Sequence, residues 1–170
     1  LYHILKNLFP ERKLMDFNFE KLIGYLLKDR ELVNVFYYNA PLDREKDEQG
    51  YRKQQQFFDK ISHLPKFNLV LCRMQKVNIG GKIIYQVKED DIHLAIDMVK
   101  LAYNNAYDTA ILISTDGDFV PAIEAVKEKG KRIENIGFEN KFSWHLKQKS
   151  DRFKQLKKKE LAPFFEREAS

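Results

Sequence analysis

Apolar residues first recur at Leu1, Ile4, Leu5 and Leu8, a helical spacing that predicts a helix over residues 1–9 stopped by Pro10. Phe19, Leu22, Ile23, Leu26 and Leu27 repeat the spacing behind two candidate caps, Asp16 and Asn18. Residues 32–38 then turn β-branched and aromatic, which reads as a strand. A polar loop over 39–50 leads to a helical stretch around Gln54 to His63 that ends near Pro65. Residues 68–77 read as one strand. Asn78-Ile79-Gly80-Gly81 is a turn signal, so residues 82–87 pair back as a hairpin arm.

The second half is more sharply patterned. Ile92, Leu94, Ala95, Ile96, Met98, Val99, Leu101 and Ala102 make a helix that is apolar almost all round, with one polar stripe at His93, Asp97, Lys100 and Asn104. Such a helix is expected to be largely buried. Residues 109–114 form a continuous apolar run of strand length, as expected of a parallel strand covered on both faces. A helix over 119–129, Gly130 at its C′ position and a strand over 132–136 follow. Helix and strand alternate nearly to the end, which implies crossover connections and a mostly parallel α/β sheet. No internal repeat or boundary interrupts it, so a single domain over 1–170 is expected.

Composition narrows the class. The chain has 170 residues, 44% hydrophobic and 13% aromatic, enough for one real core. No window approaches the roughly 18 uninterrupted apolar residues of a membrane span, and no secretory leader pattern opens the chain. Cys72 is the single cysteine, which leaves no internal disulfide and makes a reducing cytoplasm the default. Thirty Lys and Arg against 25 Asp and Glu give +5, a mild excess that favours a polyanionic partner. Lys147, Lys149, Arg152, Lys154 and Lys157 to Lys159 hold much of that excess and read first as a solvated face.

The candidate chemistry is acidic. Ser114-Thr115-Asp116-Gly117-Asp118-Phe119 lies where a buried strand ends and a helix begins, the place where open α/β sheets bind ligands. Asp116 and Asp118 straddle a glycine that permits a tight turn, and two converging carboxylates suit a hard cation such as Mg2+ or Mn2+. The structural alternative is that Asp118 is simply the N-cap of the next helix and Asp116 a turn residue. A second group, Lys88-Glu89-Asp90-Asp91, precedes the buried helix, where Asp90 or Asp91 could cap it. Asp97, three residues before Lys100, reads as structural. Four scattered histidines and one cysteine exclude a zinc-like spacing.

Residues 88–98, Ala106-Tyr107-Asp108-Thr109 through Asp118-Phe119-Val120-Pro121, Gly130-Lys131-Arg132 and Ile136-Gly137-Phe138 resemble the LabA-like NYN family. Ser143, Leu146 and Asp151-Arg152-Phe153 resemble its closing pattern, while the first half matches more loosely. The resemblance implies a PIN-like, three-layer α/β/α (Rossmann-like) fold and metal-dependent hydrolysis of RNA. On it, Asp91, Asp116 and Asp118 carry over as catalytic metal ligands and Asp97 as a weaker one, with Lys88 and Arg52 as candidate phosphate contacts. The resemblance implies RNA as the partner; a second copy of the chain or another protein is a further candidate. The family's first-strand Asp-Gly-x-Asn motif has no counterpart here; Leu1-Tyr2 looks like the two residues that follow it. The acid cluster is therefore incomplete as written, and weak or absent activity is expected of these residues alone.

Two other readings compete. Asp116-Gly117-Asp118-Phe119-Val120 also resembles the nucleophile motif of haloacid-dehalogenase phosphatases, but no later acid pair follows at a strand end. The other is a non-catalytic NYN module that binds RNA or protein. No glycine-rich phosphate loop or dinucleotide fingerprint supports an NTPase or dehydrogenase.

Overall fold

The computed structural model describes residues 1–80 and 82–165, and of residues 2, 3, 79 and 82–87 the backbone alone. The described parts of Leu1–Arg30 and Asp97–Ser170 form one compact unit, and Glu31–Ile96 form a second. The class is α/β, with parallel strands alternating with helices. No helix among the described residues is long and apolar enough to cross a membrane.

In the second unit, β1 (Val35–Asn39) and β2 (Phe67–Leu71) pair in parallel, joined through α3 (Glu48–Ser62). Two helices precede α3 in the chain, α1 (Tyr2–Leu8) and α2 (Phe19–Leu27), both in the first unit. The helix α3 begins earlier than its apolar spacing suggests, because Asp47 caps it by accepting from the Gly50 amide at 2.8 Å. It buries Phe57, Phe58 and Ile61. The single strand expected over 68–77 is broken at Cys72. Up to Leu71 the chain pairs with β1, and from Arg73 it forms β3 (Arg73–Ile79), antiparallel to β4 (Lys82–Lys88). The Cys72 amide donates to Asn39 O at 2.7 Å, the last link to β1 before the change of partner. Ile79 lies opposite Lys82, and Gly80 has φ +58°, as the two-residue hairpin turn requires. Gly81 lies outside the described residues.

In the first unit, β5 (Thr109–Ile113), β6 (Arg132–Phe138) and β7 (Arg152–Leu156) form a parallel sheet in that order. The helices α5 (Val120–Glu128) and α6 (Trp144–Lys149) connect them. Gly130 takes φ +75° just past α5, the left-handed C′ conformation its sequence position predicts. Ile123, Val126, Ile133, Leu146, Leu156 and Leu161, the last in α7 (Lys158–Leu161), are fully buried. A ring cluster of Phe9, Phe17, Phe164 and Phe165 adds to this core, with centroids of 4.8 Å for Phe9–Phe165 and 5.0 Å for Phe17–Phe165. In this sheet β5 is an edge strand with only Leu112 buried, so the expectation of a strand covered on both faces is not met there.

The helix read as largely buried is α4 (Asp90–Tyr103), and that reading needs correction. It buries Met98 and Ala102, while Ile92 and Ile96 are 62% and 57% exposed. At ~100° per residue, Ile92, Ile96 and Tyr103 form one stripe about a third of a turn from Met98 and Ala102. An apolar residue count does not show which stripe is covered.

Candidate functional site

The turn after β5 is built by local hydrogen bonds. Ser114 and Thr115 leave the sheet, and the Asp116 amide donates to Ser114 Oγ at 3.1 Å. Asp116 Oδ1 in turn accepts from the Asp118 amide at 3.0 Å and so caps the 3₁₀ turn Gly117–Phe119. Asp116, not Asp118, is therefore the capping residue. The helix α5 starts from Phe119 with no side-chain cap, and Pro121 sits in its first turn, where a missing amide costs nothing. Both carboxylates are exposed, two residues apart beyond the carboxyl end of a parallel strand.

Beneath this turn lies a residue the sequence reading did not single out. Asn135 is fully buried on β6 opposite Leu112. Its Nδ2 donates to Leu112 O at 3.1 Å and to Ser114 O at 3.0 Å, so one amide group ties down the last residues of β5. Its Oδ1 is buried without a hydrogen-bond partner among the described residues. The available signal was a lone Asn inside the strand Arg132-Ile133-Glu134-Asn135-Ile136, since a buried amide in a strand normally has specific partners.

The closing residues hold the other side. Ser143 Oγ caps α6 by accepting from the Leu146 amide at 3.3 Å. A Cβ placed on Gly117 would lie 3.3 Å from Ser143 Oγ and 4.0 Å from His145 Cβ, so the acid turn rests directly on the start of α6. Asp151 accepts from the Ile133 amide at 2.8 Å and pairs with Lys127 at 3.0 Å. That amide bond, with Lys127 and Arg132 nearby, holds the Asp151 carboxyl below its ordinary range.

The other predicted site residues belong to separate places. Asp91 is exposed in the first turn of α4, where the helix dipole favours a negative charge. Glu89, just before that helix, has φ +76° and pairs with Arg73 at 3.0 Å. The Cys72 thiol, next to the last residue of β2, is pushed up by burial and then by the charges of Asp90, Glu89 and Asp91. These acids thus flank the carboxyl end of β2 within their own unit. Asp97 is half-buried further along α4. Lys88 ends β4, and the exposed Arg52 pairs with Glu48 along α3 at 2.9 Å.

Hard carboxylate oxygens suit Mg2+ or Mn2+ in kind. In number they fall short, because no three His, Cys, Asp or Glu among the described residues group so as to hold a metal ion. The described residues do not by themselves make a complete metal site.

A parallel α/β sheet with an acidic turn at a strand end puts two carboxylates where such sheets bind ligands. The NYN domain family model matches residues 5–157, and the chain belongs to that family. It is 30% identical over 129 residues to the "Low amplitude and bright protein LabA" of Synechococcus elongatus, covering 74% of this chain and 63% of that protein. It is also 39% identical over 75 residues to the uncharacterised protein MJ0482 of Methanocaldococcus jannaschii, covering 44% of this chain and 31% of that one. The chain thus spans less than two thirds of either curated relative. A crystal structure of a protein of unknown function from Vibrio parahaemolyticus has the same fold, with TM-score 0.63 at 22% identity, over 82% of this chain and 78% of that one.

Proposed function

We propose that this chain is a metal-dependent ribonuclease module that hydrolyses RNA phosphodiester bonds with Mg2+ or Mn2+. Asp116 and Asp118 are its central acids, Asp91 a further ligand and Asp97 a supporting one. The observation that carries the reading is the Asp116-Gly117-Asp118 turn at the carboxyl end of β5, in a chain of the NYN family. Asp91 and its neighbours flank the end of another parallel strand, β2, which fits the same logic. The family match runs across both compact units, which supports reading them as one domain. The net charge of +5 suits a phosphate-bearing substrate. Lys88 and Arg52 are the phosphate contacts in this reading, Arg52 after release from Glu48.

The test is Mn2+ titration by calorimetry together with cleavage of a labelled RNA, for a form carrying the family's first-strand Asp-Gly-x-Asn segment ahead of Leu1 and for its Asp116→Asn variant. Metal binding and cleavage that both drop at least tenfold in the variant, with RNA affinity retained, are the expected result. RNA binding with no metal dependence in either protein sinks the nuclease and leaves a non-catalytic binding module.

A further inference from the structure

Beside the acid turn stands a group of side chains that the turn itself does not use. Trp144 opens α6 at 56% exposure, and Phe142, two residues earlier, is 40% exposed. Phe142 packs against Phe153 with ring centroids 5.5 Å apart. Lys147, one helical turn after Trp144, places its Nζ 5.1 Å from the Trp144 ring, 5.8 Å from Phe142 and 5.4 Å from Phe153. Lys147 has no carboxylate partner among the described residues, unlike Lys149, which pairs with Glu124 at 2.6 Å. A Cβ placed on Gly117 of the acid turn would lie 3.3 Å from Ser143 Oγ and 4.0 Å from His145 Cβ, and these two residues flank Trp144 in the chain.

Exposed apolar ring faces mark interaction sites, and the core of a protein-docking face is depleted in lysine. Here the surroundings are cationic and polar, with Lys141, His145, Lys147 and Gln148 all exposed. That combination of π-faces with an unpaired ammonium is what unstacked nucleobases and their phosphates require. We propose that Trp144, Phe142 and Lys147 form a stacking platform for single-stranded nucleic acid, which delivers the strand to the Asp116–Asp118 turn. A base stacks on Trp144 and a second on Phe142, while Lys147 takes the intervening phosphate. A duplex keeps its bases stacked inside and has no face to offer these rings. The inference deepens the ribonuclease reading by naming a single strand as the substrate form, and it rests on that reading only for delivery to the acids.

Trp144 is the only tryptophan in the chain, so its fluorescence reports the platform directly. An unstructured oligouridine and an RNA duplex of equal length are titrated against the chain, and binding of the labelled strand is followed by anisotropy for Trp144→Ala and Lys147→Gln. The expected result is quenching by the single strand alone and an affinity lowered on the order of tenfold by Trp144→Ala. Lys147→Gln is expected to weaken binding and reduce the salt slope by about one. Both side chains are exposed, and an unchanged melting temperature confirms that each variant folds. Equal quenching by the duplex, unchanged strand affinity in Trp144→Ala, or no quenching by either RNA would each overturn the platform; the last would return this face to a protein partner. Quenching without Mn2+-dependent cleavage by the form that carries the first-strand segment would instead remove the ribonuclease reading and leave the platform standing.

Discussion

Replacing Asn135 by Asp changes a single atom from nitrogen to oxygen, yet it reverses the chemistry beneath the acid turn. The amide nitrogen donates to Leu112 O and Ser114 O at 3.1 and 3.0 Å inside a fully buried site. An ionised carboxylate there would face two carbonyl oxygens with no cation, so the group folds only as the neutral acid. Keeping a carboxyl neutral at pH 7 against an ordinary pKa of about 3.9 costs about 4 kcal/mol. The acid has one O–H where the amide had two N–H donors, so one further bond is lost, worth about 1 kcal/mol. The variant is therefore about 5 kcal/mol less stable at pH 7, comparable to the whole stability of a small domain. The sign with pH follows from linkage. The folded carboxyl has the raised pKa, the native state binds the extra proton, and the penalty grows as pH rises above about 4. Urea unfolding at pH 7 and near pH 4 measures both ends, with a deficit near 1 kcal/mol expected at the acid end. A variant within 1 kcal/mol of the parent at pH 7 would refute the argument, because the amide could then not be donating to those carbonyls.

Two further substitutions test the frame of the site. In Gly137→Ala the new Cβ would meet Phe142 Cβ at 2.6 Å and the Phe153 ring at 3.0 Å, so the ring pair must shift. A loss of about 1–3 kcal/mol by thermal unfolding is expected, with weaker single-strand binding as Phe142 moves; a neutral outcome for both would show that the rings yield freely. In Asp151→Asn the loss is pH-dependent, because the Asp151 carboxyl is held low first by the Ile133 amide and then by Lys127. A depressed carboxyl stabilises above its ordinary pKa and loses that contribution as pH falls through the folded value, so parent and variant should differ at pH 7 and converge as pH falls below the ordinary carboxylate range. Melting temperatures across that range check it, and a gap that widens in acid contradicts the assignment.

Local signals in the sequence were enough for most elements and for the acid turn. Helical spacing marked α1, α2 and α5, Gly130 and Pro121 sat where a helix end and a first turn admit them, and Asp116-Gly117-Asp118 fell at the end of an apolar run that is a strand. Such features depend on a few adjacent residues and so survive without knowledge of the fold. Partner choice does not. Cys72 marks the point where one extended stretch leaves β1 for β4, a change set by which strand is near rather than by alternation. Which carboxylate caps the turn depended on a backbone angle at Asp116, and the identical spacing would have allowed Asp118.

The same division holds at the site. The Asp116-Gly117-Asp118 turn was readable because it lies within adjacent residues, whereas Asn135 bonds across 21 to 23 residues and carries no periodic mark. Likewise, periodicity made α4 a helix without deciding that Ile92 and Ile96 stay exposed while Met98 and Ala102 are covered. Phe142, Trp144, Lys147 and Phe153 come from a loop, a short helix and a strand, and only the folded chain stacks them around one ammonium group. Sequence determined the intervals within each element, because backbone geometry repeats locally. Tertiary structure decided which faces meet, because burial and hydrogen-bond satisfaction are settled between residues far apart in the chain.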